Sequence, residues 1–319
     1  GVPMSETIEI RLATLDDADA INMHFNKMFG AARSPEMFNW KFSPYTWRRA
    51  VPPGYIALHN RVVVGLYAVM SWKLVAFDTL VNVVQPCDVS VAKEVQGQFV
   101  YFDVYREFRN SCPLFSRLAF GFPSRRSLMV GYEKMGYRFQ NATRLYSLAA
   151  CSVMYDESIE IEVSDTIPDS WFPYVTVETA MMGITTHRSQ QFMRWRYQNF
   201  PDRHFSFLTV GGESPTGVAA FTLWRDCVKI YDLIGDSPEI IQAMIGKITR
   251  LLPGKTVIYG TTDCNPYIDS LERMRFEIAN EGALVTSLLT DNGNDCPDPL
   301  TDTMRASHQW FATWADTDM

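Results

Sequence analysis

Tyr132 is of a type that can move a proton, while a helix tyrosine in this setting more often packs at a strand edge. A phenol with an ordinary pKa of about 10 keeps its proton at neutral pH and yields it to a strong base formed nearby, which is the profile of a general acid. It lies within Leu118 to Tyr137. There an apolar run, Leu118 to Phe122, is stopped by Pro123, and the polar turn Ser124-Arg125-Arg126 leads into a helical segment with Ser127 as a cap and Gly136 at its end. A second stretch, Val95-Gln96-Gly97-Gln98, stands between a strand and a helix that begins near Phe99. Strand, glycine turn and helix aim backbone N–H groups at an anion. Asp88, Glu94 and His24 are of types that accept a proton, and no spacing singles out one of them. Arg125 and Arg126 read either as a solvated turn or as partners for phosphate.

The elements that must hold these residues follow from apolar periodicity. Ile8 to Leu12 alternates like a half-buried strand, and Thr14-Leu-Asp-Asp opens a helix with Ala18, Ile21, Phe25 and Met28 on one face. After Phe38-Asn-Trp-Lys-Phe and a proline-broken loop, Tyr55 to Leu58 and Val62 to Met70 predict a hairpin across His59-Asn60-Arg61. Strands are predicted at Val81 to Val84 and Cys87 to Val91, and Val100, Val104 and Phe108 share a helix face. Cys151 to Asp169 is acidic and loosely patterned. It reads as a linker, although Ile159-Glu-Ile-Glu-Val also has the alternation of an edge strand.

Composition narrows the function classes. The chain has 319 residues, 47% apolar and 13% aromatic, enough for two ordinary domains or one large one. Its formal charge of -7 argues against general affinity for nucleic acid and favours cationic or amine-bearing substrates. No stretch reaches the ~20 apolar residues of a membrane span. Gly1-Val2-Pro3 read as a remnant ahead of Met4 without a signal-peptide pattern. Cysteines 87, 112, 151, 227, 264 and 296 lack ligand spacing, which reads as free thiols in a reducing cytoplasm and no metal site. The histidines likewise show no ligand spacing.

The same order of features occurs twice. Phe38-Asn-Trp40-Lys41-Phe42 is echoed by Met193-Arg-Trp195-Arg196-Tyr197, Gly65 by Gly217, and Asp88 by Asp232. Leu118-Ala-Phe-Gly is echoed by Val257-Ile-Tyr-Gly, and Tyr132-Glu-Lys-Met-Gly-Tyr by Leu271-Glu-Arg-Met-Arg-Phe. Repeated order signals repeated architecture. The second copy has leucine where the first has Tyr132, so chemistry is expected in the first. Trp40 and Trp195 read as core anchors with satisfied indole N–H groups.

On these residues the chain resembles tandem members of the GNAT superfamily from Ile8 to about Leu289. The likeness rests on Trp-Lys-aromatic, a glycine-bearing hairpin, Gly-Phe-Pro and a later Lys-x-Gly-aromatic. It implies an α/β (α+β) fold of two tandem GNAT-like lobes, each a mixed, largely antiparallel twisted sheet flanked by helices. Residues 4–150 would form the catalytic lobe, 151–175 an acidic linker or edge strand, and 176–319 a degenerate lobe that is structural or binds the acceptor. It further implies transfer of an acyl group, most simply acetyl, from coenzyme A to a primary amine on a small metabolite. An amine on a sugar, including a nucleotide-linked one, is favoured, with no metal, nucleic acid or membrane involved. By resemblance, Tyr132 protonates the departing thiolate and Asp88 is a second catalytic candidate. The cosubstrate, acetyl-CoA or another acyl-CoA, would be held by Val89, Val91, Gln96, Gly97, Gln98, Phe122, Ser124, Arg125 and Ser127. The closing Trp310-Phe-Ala-Thr-Trp-Ala-Asp-Thr-Asp looks like a last strand. The chain departs from the family at the cradle, where Phe99 and Tyr101 stand at positions that are usually small. That departure leaves two alternatives, a thioester carried on a protein or a catalytically silent tandem scaffold that binds a ligand or partner.

Overall fold

A computed structural model describes residues 7–42, 54–111, 116–289 and 298–317. The first half runs β1 (Glu9–Leu12), α1 (Ala18–Phe29), α2 (Pro35–Lys41), β2 (Gly54–His59), β3 (Val62–Ala76) and β4 (Thr79–Val91), then α3 (Val100–Ser111), β5 (Leu118–Gly121), α4 (Arg125–Lys134) and β6 (Arg138–Leu148). The second runs β7 (Ile161–Ser164), α5 (Trp171–Ala180), β8 (Thr185–Thr186), α6 (Gln190–Met193), β9 (Ser206–Val210), β10 (Gly217–Trp224) and β11 (Cys227–Gly235). It continues with α7 (Pro238–Leu251), β12 (Thr256–Thr262), α8 (Ile268–Arg273), β13 (Glu277–Leu288) and α9 (Pro299–Ala306).

Local chemistry explains most boundaries. Thr14 N–H donates to the Asp17 carboxylate at 2.7 Å, closing the turn that starts α1. The β2–β3 hairpin turns on Asn60 and Arg61, both at positive φ (51° and 64°), the twist that tight hairpins require. Ser124, rather than the expected Ser127, caps α4, its Oγ accepting from Ser127 N–H at 3.3 Å. The two strands expected at Val81–Val84 and Cys87–Val91 are one strand, β4, running through Pro86 with a bulge near Asp88 (φ 52°). The acidic alternation at Ile159 to Val163 contains the edge strand β7. The closing segment is not a strand. It touches its neighbours at two isolated bridges, Ile184 with Trp310 and Thr261 with Thr313, and ends in a 3-10 turn, Trp314–Asp316. The proline-broken loop beyond Phe42 lies largely outside the described residues, as do Cys112 and Cys296, whereas Cys87, Cys151, Cys227 and Cys264 are not joined in disulfides.

The described strands join one thirteen-stranded sheet, in which β1-β2-β3-β4-β5-β13-β6-β12-β11-β10-β9-β7 lie in that order and β8 pairs with β3. The halves cross at its centre. The last strand of the chain, β13, fills the place between β5 and β6, and β6 in turn fills the place between β13 and β12. Each half therefore borrows a strand from the other to complete its sheet.

The same pseudo-symmetry is visible in the core. Trp40 and Trp195 stack with ring centroids 4.6 Å apart and planes 5° from parallel. Each indole N–H donates to the other residue's backbone carbonyl, Trp40 at 2.7 Å and Trp195 at 2.9 Å. Both rings are nearly fully buried, so the expected satisfied anchors satisfy one another. Truncating either ring leaves a cavity and a buried carbonyl without its donor. Trp40→Ala and Trp195→Ala are each expected to lower stability by about 3–5 kcal/mol. The double variant should fall short of their sum by about 1 kcal/mol or more, because the two changes remove one shared contact. Urea unfolding of all four proteins measures this coupling.

Candidate active site

The first half contains a break in its sheet that side chains do not close. β4 and β5 are parallel neighbours paired only at Val84 with Ala119, and past that point they diverge. Pro86, which would interrupt a ladder in a central strand, sits beside the opening. The gap is a cavity of about 270 Å³ whose walls include Cys87, Asp88 and Val89 of β4, Phe120 to Ser124, and Ser127 of α4. Tyr101 of α3 and Val285, Thr286 and Ser287 of β13 complete it. Strand edges without a partner on that side offer N–H and C=O groups to an extended ligand that carries amides. Gly121 adds to the room, since a Cβ there would meet no atom within 4 Å.

The corresponding opening in the second half is filled. β11 and β12 pair from Cys227–Thr256 to Ile230–Tyr259 and then part. The Tyr267 hydroxyl enters there, accepting from Gly235 N–H and donating to Gly235 C=O, each at 3.0 Å. The closing segment occupies the remainder. Ala312 C=O accepts from Thr262 N–H at 3.1 Å, and Thr313 Oγ1 donates to Asp232 at 3.1 Å. Gly260, the counterpart of Gly121, has the Trp314 indole within about 3 Å of where its Cβ would stand.

Asp88 lines the open cleft, yet its carboxylate is taken. Arg33 Nη1 lies 2.6 Å from one oxygen and Lys41 Nζ 2.7 Å from the other, all three side chains being almost fully buried. Burial by itself would push this carboxyl up, but Lys41 and Arg33 outweigh it and hold the pKa below the usual range. An acid in this setting anchors α2 and the α1–α2 loop to the bulge of β4. Asp232 repeats the arrangement with Arg188 at 2.9 Å and Tyr197 at 2.6 Å, and Arg188 also holds Asp316 at 2.8 Å.

The other residues singled out by sequence divide between cleft and surface. Val89, Phe122, Ser124 and Ser127 are wall residues together with Asp88. Val91 packs against the core under α3. Gln96 folds back on β4, its Nε2 3.2 Å from Val91 C=O. Gly97 takes a φ of 90° that favours glycine, and Gln98 faces an open depression on the outer side of α3. Arg125 is exposed at the start of α4. Tyr132 is 43% exposed and outside the cavity wall, with burial raising its pKa. Glu94 pairs with Lys27 on the surface at 3.4 Å. His24 is buried 3.1 Å from Ser90 Oγ, and burial lowers its pKa.

Phe99 stands at a position that the resemblance expects to be small. It adopts φ 60°, a conformation that ordinarily selects glycine, and its side chain is 72% exposed. The turn into α3 thus keeps a glycine-like backbone while the ring points to solvent, at a strain of roughly 1–2 kcal/mol. Tyr101 instead contributes to the cleft, with a pKa raised to about 12 by burial. Sequence reasoning missed Tyr67 and Tyr137, both in the wall and both pushed up by burial. It also missed the β13 residues, which are more than a hundred positions away from the rest of the site.

No family model matches the chain, and no curated protein matches it. Solved structures do match. A GCN5-related N-acetyltransferase from Anabaena variabilis aligns with 89% of this chain and 73% of its own at 15% identity and a TM-score of 0.67. One from Kribbella flavida aligns with 89% and 72% at 13% identity and 0.66. Eis1 from Mycobacterium abscessus aligns with 88% and 74% at 14% identity and 0.59. At these identities the likeness is one of fold, and the chain has the fold of the GCN5-related N-acetyltransferases.

The paired state of Asp88 has a measurable consequence. Its folded pKa lies below its unfolded one, so the stabilisation is present above about pH 4 and is lost as pH falls through the folded value. Asp88→Asn, which leaves Arg33 and Lys41 buried beside a neutral partner, is expected to lose about 3–5 kcal/mol at pH 7. The deficit should shrink as the pH is lowered through the folded pKa, which thermal unfolding of both proteins across pH will show.

Proposed function

We propose that this protein is an acyltransferase that moves an acyl group, most simply acetyl, from coenzyme A to a primary amine of a small metabolite. The observation that carries the reading is the single open break between β4 and β5, set against its filled counterpart between β11 and β12. The open cleft suits a narrow amide-bearing arm. It has unpaired strand edges on both sides, aromatic and aliphatic walls, and the first turn of α3 at one end, where Tyr101 enters the lining. The backbone N–H groups of that first turn are the donors we assign to the pyrophosphate. Ser124 and Ser127, at the start of α4, face the same space.

When bound, the coenzyme supplies a thioester carbonyl to be attacked by the amine. The protein's part is to hold that carbonyl at the Phe122 end of the cleft, keep out water and return a proton to the departing sulfur. We assign the last role to Tyr132, about two turns along α4 from Ser124, a phenol that is protonated at neutral pH. The proton lost by the amine passes to solvent water, since Asp88 is engaged by two cations. A sugar-borne amine, including a nucleotide-linked one, is the favoured acceptor class.

Calorimetry with acetyl-CoA should show saturable binding, and thiol release should require an added amine. Tyr132→Phe is expected to lower kcat roughly a hundredfold while leaving acetyl-CoA affinity within twofold. Absence of binding at millimolar acetyl-CoA would instead support a silent scaffold or a carrier-borne thioester.

A further inference from the structure

An open depression of about 700 Å³ runs along the outer face of α3. It begins at Gln98 and Phe99, beside the turn assigned above to the pyrophosphate, and extends past Arg106 to Lys134 at the end of α4. Resting on the acyltransfer reading above, we infer that this depression is the nucleotide subsite of the coenzyme. Phe99 supports the adenine ring, Arg106 and Lys134 hold the ribose 3′-phosphate, and the protein thereby selects coenzyme A over its 3′-dephospho form.

Phe99 carries the first part of the inference. Its backbone stands at φ 60°, a conformation that glycine takes at no steric cost, and its ring is 72% exposed. Two unfavourable features thus coincide at one residue, a strained backbone and a bare aromatic face. A flat ring laid over Phe99 offsets the second, and a nucleobase has such a face whatever its sequence of hydrogen-bonding groups. Phe102, three residues further on, lines the same depression. It stands edge-on to Tyr101 of the coenzyme cleft, with ring centroids 5.5 Å apart and planes at 90°, so cleft and depression meet across the first turn of α3.

Charge carries the second part. Phe99, Asp103 and Arg106 follow at helical spacing, which puts Arg106 on the same side of α3 as Phe99 and about 10 Å along its axis. The Arg106 side chain is 66% exposed, and its contact with Asp103, at 3.3 Å, joins two groups that water already screens. Such a contact yields to a phosphate, which takes a guanidinium in a two-pronged grip. Lys134 makes no hydrogen bond or ion pair among the described residues. Arg109 adds a third positive charge to the wall, whose acid among the described residues is Asp103. Between residues 100 and 140 seven basic side chains stand against three acidic ones, in a chain whose formal charge is -7. The local field is therefore opposite in sign to that of the whole molecule, which draws an anion to this end of the fold.

The test is calorimetry with acetyl-CoA, acetyl-3′-dephospho-CoA and adenosine 3′,5′-bisphosphate. Removal of the 3′-phosphate should weaken binding tenfold or more, and the bisphosphate alone should bind saturably and compete with acetyl-CoA. The double variant Arg106→Gln, Lys134→Gln should weaken acetyl-CoA tenfold or more while leaving the dephospho form within twofold. Phe99→Gly removes the ring and relieves the backbone together. It should raise the thermal midpoint yet weaken both coenzyme forms about tenfold, and a gain in stability with a loss of affinity separates the ring's role from a folding defect. The inference is overturned if the two coenzyme forms bind within twofold of each other, if the bisphosphate fails to bind, if the double variant weakens both forms equally, or if Phe99→Gly leaves acetyl-CoA affinity within twofold. A tenfold preference for acetyl-CoA over its dephospho form, with no thiol released to any amine, would instead sink the acyltransfer reading and leave the nucleotide subsite standing.

Discussion

The exchange of β6 and β13 at the centre of the sheet is the constraint on which the rest of the molecule depends. β5 meets β4 at a single residue pair, so its other edge must be secured elsewhere, and β13 secures it through Leu118 to Gly121. Because β13 comes from the far end of the chain, the first cleft gains a wall of Val285, Thr286 and Ser287 that its own half does not encode. The reciprocal pairing of β6 with β12 gives the second half the same dependence. The stacked indoles of Trp40 and Trp195 bind the halves on a second level, each hydrogen-bonding the other's backbone.

Two openings at matching places in the two halves differ in what fills them, and small differences decide which. In the second half a tyrosine hydroxyl meets both backbone groups of Gly235, and Trp314 lies over Gly260. The unpaired edge is thereby satisfied from within the chain, as a buried edge must be when no ligand covers it. In the first half Gly121 has no such cover and the edge borders a cavity. The Arg188–Asp232–Asp316 cluster, wholly buried, fastens the closing segment into the filled opening. Asp88 with Arg33 and Lys41 uses the same charge pattern to hold the open one from outside. The acid near the bulge is therefore an anchor in both halves, beside an open cleft in one and a filled opening in the other.

The loop ahead of α3 carries backbone strain. A phenylalanine in a left-handed conformation is unfavourable, yet Phe99 adopts it with its ring in solvent, so the shape of the turn outweighs the identity of the side chain. The backbone ahead of α3 takes a positive φ at both Gly97 (90°) and Phe99 (60°).

Much of the architecture was legible in the sequence because it is local. Two apolar runs with a tight polar connection marked the β2–β3 hairpin, helical spacing marked α3 through Val100, Val104 and Phe108, and Trp40 with Trp195 and Asp88 with Asp232 recur in the same order along the chain. Val89, Phe122, Ser124 and Ser127, which the resemblance had assigned to a cosubstrate, line the cleft between β4 and β5. What the tertiary structure alone decided was partnership over long separations. That β13 would lie between β5 and β6, that Tyr267 and Trp314 would fill one opening, and that Lys41 and Arg33 would claim both oxygens of Asp88 leave no periodic trace. Side-chain periodicity reports which face of an element is buried. Which edge or charge meets it depends on every other element having already been satisfied.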